Sequence, residues 1–240
     1  MQAQSAYLLI SHGSRDSRSQ TALEQLAQLF AQALIQEGFT HPQVETSTLE
    51  FSEVTLDLQI QQLGMALPKH GLFHLKILPL FLLPGNHVIV DIPTAVALAR
   101  SQLAPDIQIQ IQPYLGAHPH MSQMLRYRMG DRGNHPWILV SHGSQRPGSH
   151  HPVEALAAHL GMLPAYWAGR PDLTQRVQEL VATHSTQIGV LPYFLFPGRI
   201  TDAIIEQVNQ LELKFNQLSF ICAPPLEATP EVAHLLLDLI

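Results

Sequence analysis

A duplicated strand end constrains this chain more than any other feature. Leu8-Leu9-Ile10-Ser11-His12-Gly13-Ser14 recurs as Ile138-Leu139-Val140-Ser141-His142-Gly143-Ser144. Each copy is a short apolar run halted by Ser-His-Gly-Ser and followed by a polar segment that could open a helix. A continuous apolar run of this length suits a strand buried on both faces of a parallel sheet. The turn after it delivers the next side chains to the carboxyl rim of the sheet, where open α/β folds bind ligands. Two copies imply two βα-repeated halves, and either rim is a candidate site.

The spacing between the copies supports that reading. Residues 7–10, 43–49, 72–83 (broken by Pro79) and 107–111 read as strands. Residues 16–37, 54–67 and 93–103 read as helices, with Pro84-Gly85-Asn86-His87 as a turn. A helix over 118–129 leads into the linker Gly130-Asp-Arg-Gly-Asn-His-Pro136. The pattern then restarts, with strands at 137–140, 163–167, 188–196 and 218–222 and helices at 153–160, 173–183, 201–211 and 230–239. Leu78-Pro-Leu-Phe-Leu-Leu-Pro-Gly85 matches Leu191-Pro-Tyr-Phe-Leu-Phe-Pro-Gly198 in step. Alternating strands and helices imply parallel sheets with right-handed crossovers. The predicted organisation is an N-terminal α/β half (1–117), a connecting helix and linker (118–136) and a C-terminal α/β half (137–240), a tandem duplication with a cleft between.

Composition removes several classes of function. The 240 residues are 46% hydrophobic and 13% charged, which suits a packed protein rather than a disordered one. A net charge of −6 gives no footprint for nucleic acid or an anionic membrane. No apolar run is long enough to span a bilayer, and the start of the chain lacks a basic signal-peptide region, so a cytoplasmic protein is expected. The single Cys222 rules out an internal disulfide and a multi-cysteine zinc site. Fourteen histidines raise the prospect of metal or proton chemistry.

Three of those groups follow three different predicted strands of one sheet: His12, Glu50 and His87. Parallel strands put their carboxyl ends on one edge, so groups far apart in sequence can converge there. Two imidazoles and a carboxylate suit a borderline divalent ion and leave coordination positions open. The second half lacks this set, since Glu50 falls opposite Trp167 and the His87 loop opposite Gly198-Arg199-Ile200-Thr201. One histidine at a strand end is more often a hydrogen-bonded structural residue than a ligand, so the weight lies on the convergence. His118 and His120 read as surface residues of a first helical turn, and Cys222 as core. Arg15, Arg146 and Arg199 each follow a strand end and could form an anion-binding lip, backed by helix N-termini. The plainer alternative is three solvated arginines. A histidine phosphatase is a distant rival, because its phosphate clamp wants an arginine where Ser11 stands.

The paired Ser-His-Gly-Ser motifs, Leu49-Glu50 and the stretch Leu78-Pro-Leu-Phe-Leu-Leu-Pro-Gly-Asn-His-Val-Ile-Val-Asp-Ile-Pro93 resemble the sirohydrochlorin chelatases of the CbiX/SirB type. The resemblance covers nearly the whole chain. It implies a chelatase-like fold of two similar α/β domains, with a tetrapyrrole in the cleft. It also implies insertion of cobalt or iron into sirohydrochlorin, on the way to cobalamin or siroheme. The metal is then a substrate, with no organic cofactor, nucleic acid or membrane involved. Carried over by residue, His12 and His87 match the metal-handling histidines and Glu50 their acidic partner, the three together forming the catalytic set. Ser11, Gly13, Ser14, Arg15, Gly85, Asn86, His142, Arg146 and Arg199 are the expected substrate-binding residues. The alternative is a metal- or tetrapyrrole-binding chaperone of the same fold, with no turnover and no need for Glu50.

Overall fold

The computed structural model describes residues 5–130, 133, 135–144 and 148–240, which form two compact units. The first comprises residues 1–118 and 228–240, the second residues 119–227. In the first, strands β1 (Ser5–Ser11), β2 (Gln43–Thr48), β3 (His74–Pro79) and β4 (Gln108–Ile111) build a parallel sheet in the order β2-β1-β3-β4. The chain steps to one side of β1 for β2 and to the other for β3. That reversal opens a crevice at the carboxyl ends of β1 and β3, the place where parallel sheets expose groups to ligands.

Strand β1 is buried along its whole length because both faces are covered. Ala6, Leu8 and Ile10 pack with Leu75, Ile77, Ile60, Ile92 and Val96, so helices α2 (Leu56–Ala66) and α3 (Ile92–Arg100) cover that face. Tyr7 turns the other way and meets Phe30 of α1 (Ser17–Gln36) edge-on, with ring centroids 5.4 Å apart. Asp16 caps α1 by accepting from the Arg18 backbone amide.

The second unit repeats the plan. Strands β5 (Trp137–Ser141), β6 (Leu163–Tyr166), β7 (Gln187–Pro192) and β8 (Ser219–Cys222) pair in parallel in the order β6-β5-β7-β8. Helices α5 (His151–Leu160), α6 (Leu173–Ala182) and α7 (Arg199–Lys214) complete the βα repeats, and a core of Ile138, Val140, Val177, Val190, Ile204 and Val208 joins the sheet to α6 and α7. Among the described residues, no helix is long and apolar enough to cross a membrane.

Two helices are assigned differently from the sequence reading. Helix α4 (Met121–Arg128), expected as a connector, belongs to the second unit and packs on α5, where Arg126 donates to the carbonyl of His159. Helix α8 (Pro230–Leu237), expected in the C-terminal half, packs on α1 of the first unit and buries Val232, Ala233, Leu235 and Leu236. Each of these helices therefore packs within a single unit, α4 on α5 in the second and α8 on α1 in the first. Amphipathic spacing reports that a helix has an apolar face and is silent on which face will cover it.

Two local corrections also have physical causes. His118 is only 5% exposed, with Nε2 3.6 Å from the carboxylate of Asp238, and it precedes α4 rather than joining its first turn. Helical structure starts at His87, before the expected 93, because a π-helical turn over His87–Asp91 leads directly into α3. Pro84 and Gly85 signal a break, and the chain resumes helical geometry two residues later.

Candidate metal centre

Each group of the site is carried by a different strand end. Ser11 is buried as the last residue of β1, so His12 is the first side chain beyond the sheet, and it is exposed. The backbone then clips Glu50 beside it. Leu49 N–H donates to the Ser11 carbonyl at 3.1 Å, and Glu50 N–H to the His12 carbonyl at 2.9 Å, extending the β1–β2 ladder past the strands. From β3, Leu80 N–H donates to the Ile10 carbonyl, and the chain crosses Pro84-Gly85 into the π-helical turn that carries His87.

The result is one cluster. The ligating atoms of His12, Glu50 and His87 all lie within 4.8 Å of one another. The two imidazoles meet edge-to-face, with centroids 4.7 Å apart at 88°, and His12 Nδ1 stands 3.9 Å from Glu50 Oε2. Phe81 backs the His87 ring at 5.7 Å between centroids. Glu50 and His12 are exposed and His87 half-buried, so the cluster faces solvent. A three-ligand, solvent-facing set of this composition suits a divalent ion that must arrive and leave, because water or another donor can fill the remaining positions.

Gly13 makes the close approach possible. Its φ is +92°, and a Cβ there would fall inside the shell of the Glu50 carbonyl oxygen and 3.1 Å from Thr48 Cβ. Phe51, which no turn signal in the sequence marks, has φ +62° and is 56% exposed. A bulky aromatic in the left-handed region is strained, and such strain clusters at functional sites. The Arg15 guanidinium sits 5.3 Å from the Phe51 ring centroid, so a cation is held over an aromatic face beside Glu50. Ile89 and Val90 are 60% and 52% exposed on the turn that carries His87. Exposed apolar side chains thus follow Glu50 in the chain and share the turn of His87, and sequence periodicity gave no sign of them.

The other expected residues are placed as follows. Ser14 accepts from the Asp16 backbone amide at 3.0 Å, and Gly85 and Asn86 are exposed ahead of the π-helical turn. His142 directly follows β5 in the second unit, with Nδ1 3.0 Å from the Gly143 carbonyl, and Arg199 opens α7 on the surface. Arg146 lies outside the described residues. The second rim corrects the alignment by one position. Trp167 N–H donates to the Ser141 carbonyl and Ala168 N–H to the His142 carbonyl, so Ala168, not Trp167, stands where Glu50 does. That rim therefore has no carboxylate at the Glu50 position and, at the His87 position, Ile200. It carries a different feature, His150 stacked on Tyr166 with centroids 3.7 Å apart. The Tyr166 hydroxyl is buried and has no hydrogen-bond partner among the described residues. Burial, and secondarily Glu154, push its phenol up to about 12. Cys222, expected in the core, is half-buried against it, and burial pushes its thiol up, away from nucleophilic use.

Comparison with known proteins places this fold. The chain is 26% identical over 219 residues to the sirohydrochlorin ferrochelatase of Bacillus subtilis (strain 168), covering 86% of this chain and 80% of that one. It is 21% identical over 229 residues to the sirohydrochlorin cobaltochelatase of Priestia megaterium, covering 89% and 71%. In three dimensions it resembles the sirohydrochlorin chelatase SirB from Bacillus subtilis subspecies spizizenii in complex with cobalt, with TM-score 0.73, 24% identity and coverage of 99% and 94%. SirB from Bacillus subtilis with Fe3+ matches with TM-score 0.76, 24% identity and coverage of 98% and 94%. The CbiX family profile matches residues 6–132 and again 136–240, once for each copy of the repeat. With both halves accounted for, the chain belongs to the CbiX family.

Proposed function

We propose that this chain is a sirohydrochlorin chelatase, an enzyme that inserts cobalt(II) or iron(II) into sirohydrochlorin for cobalamin or siroheme synthesis. The observation that carries the reading is the convergence of His12, Glu50 and His87 at one solvent-facing strand edge, in a family whose named relatives are sirohydrochlorin chelatases.

The chemistry sets what the residues must do. Insertion removes water from a divalent ion and two protons from pyrrole nitrogens. His12 and His87 hold the ion through two nitrogens, a shell incomplete enough to be exchanged for the four ring nitrogens. Glu50, 3.9 Å from His12, takes up one pyrrole proton and passes it to water, and the second leaves directly to solvent, as the metal–nitrogen bonds form. Arg15, held over Phe51, is offered to the acetate and propionate carboxylates of the ring, and Phe51, Ile89 and Val90 to its apolar face. No organic cofactor enters this scheme. The lone Cys222 fits a reducing cytoplasm as its setting.

The test mixes purified protein with sirohydrochlorin and each metal in turn under anaerobic conditions, following the change in absorption. His12→Ala and His87→Ala should slow insertion by about 10²-fold or more while keeping the fold. Glu50→Gln should lower kcat far more than ring affinity. Full rates in either histidine variant would remove the site, and a wild-type protein that binds ring and metal without turnover would make it a carrier.

A further inference from the structure

One group beside the cluster has no role in the scheme above. Asp91 closes the π-helical turn that His87 opens, and its Oδ2 lies 2.7 Å from His87 Nδ1. An ionised carboxylate only accepts hydrogen bonds, so Nδ1 must carry the proton. The neutral ring then has a single lone pair left, on Nε2. The same bond fixes rotation of the ring about its Cβ–Cγ axis, with Phe81 on one side and the edge-to-face His12 on another.

The backbone is built to make this bond. The Ile92 amide donates to the His87 carbonyl, five residues back, which widens the turn by one residue. Such π-bulges are uncommon and collect at functional sites. The inserted residue leaves His87 and Asp91 on one face, while Ile89 and Val90 are turned out to solvent. Isolated exposed apolar residues are ordinary, but here they accompany a turn whose two polar ends are hydrogen-bonded to each other.

We propose that Asp91 is a positioning residue for metal delivery. It holds His87 as the Nδ1–H tautomer and aims the Nε2 lone pair at the space shared with His12 and Glu50. Carboxylate partners of this kind orient ligating histidines in general, and removing one weakens metal binding by about 10–100-fold. The inference rests on the chelatase reading of the same cluster, so its test must separate the two.

Cobalt(II) is titrated into the full chain without tetrapyrrole, read by visible absorption, for wild type and for Asp91→Ala, Asp91→Asn and His87→Ala. The tautomer of His87 is read in parallel from imidazole nitrogen shifts. Asp91→Ala should bind cobalt about 10–100-fold more weakly and raise the KM for metal in step, with the KM for sirohydrochlorin unchanged. It should also lose the Nδ1–H signature. Asp91→Asn, whose amide oxygen still accepts from Nδ1, should recover most of the affinity and the signature. Unchanged cobalt affinity in Asp91→Ala beside a weakened His87→Ala overturns the role of Asp91 alone. An Asn variant as weak as the Ala variant overturns the orientation argument in favour of bare charge. Wild-type affinity in His87→Ala overturns the metal site itself.

Discussion

Replacing Gly13 by alanine tests whether the glycine turn exists to bring Glu50 up to His12. The substitution adds one carbon at φ +92°, a conformation that costs an L-residue about 1–2 kcal/mol. That carbon would overlap the Glu50 carbonyl oxygen, an atom tied by the Glu50 N–H to His12 carbonyl bond, so no flexible side chain can yield instead. Restoring a van der Waals distance means moving the Glu50 backbone by about 1 Å. Strain and the weakened ladder bond together should cost about 2–3 kcal/mol, a fall in Tm of roughly 4–12 °C for a chain of this size. A misplacement of about 1 Å at a reacting group is worth about 10²-fold in rate. The control is Gly143→Ala on the second rim, also in the left-handed region, where the added carbon would come within 2.8 Å of the Tyr166 side chain. Both variants should melt earlier in calorimetry, while only Gly13→Ala should lose cobalt affinity and insertion rate. A Gly13→Ala protein that is destabilised yet inserts metal at the wild-type rate would refute the argument that this turn sets the Glu50–His12 geometry.

Two further outcomes concern the second unit. Tyr166→Phe should stabilise the protein by about 1 kcal/mol, because it removes a buried hydroxyl with no hydrogen-bond partner among the described residues. It should also flatten the alkaline limb of stability. The unfolded phenol releases its proton near pH 10, whereas the folded one holds it to about 12, so wild-type stability falls across that window. Urea unfolding at pH 9 and pH 11 checks both effects, and an unchanged slope in the variant would show that Tyr166 does not drive it. His142→Ala should slow insertion less than His12→Ala does, since Ala168 and Ile200 stand where Glu50 and His87 do. Equal losses in the two variants, measured by the same absorption assay, would give the second rim a share in metal handling.

The architecture was legible in the sequence because its signals are local. Apolar runs of four to six residues ending in glycine turns can hardly be other than buried parallel strands, and the two parallel sheets follow. The convergence of His12, Glu50 and His87 was legible for the same reason, since strand ends of one parallel sheet share an edge. What stayed hidden depends on backbone detail or on distant partners. Ala168 rather than Trp167 opposes Glu50 because the register is set by ladder hydrogen bonds, and a one-residue slip is invisible in composition. Phe51 carries a positive φ with no glycine or asparagine to announce it. The π-helical turn follows a Pro-Gly pair that normally ends regular structure. His118 looked like a surface residue because nothing local foretells that Asp238 lies beside it.

The exchanged helices also bear on how the chain is made. During synthesis, α1 emerges early with an apolar stripe of Leu23, Leu26, Phe30 and Leu34, one side of which awaits α8. At 5–20 residues per second, the roughly two hundred residues from α1 to α8 take about 10–40 s to appear. The first unit therefore cannot close its core in the order in which it is translated. Its sheet and the His12–Glu50–His87 cluster can form while α1 is still bare on its outer side, and the last piece arrives only after the second unit has been made. A nascent chain halted at the linker would present that stripe to whatever apolar surface is nearest, chaperone or second copy.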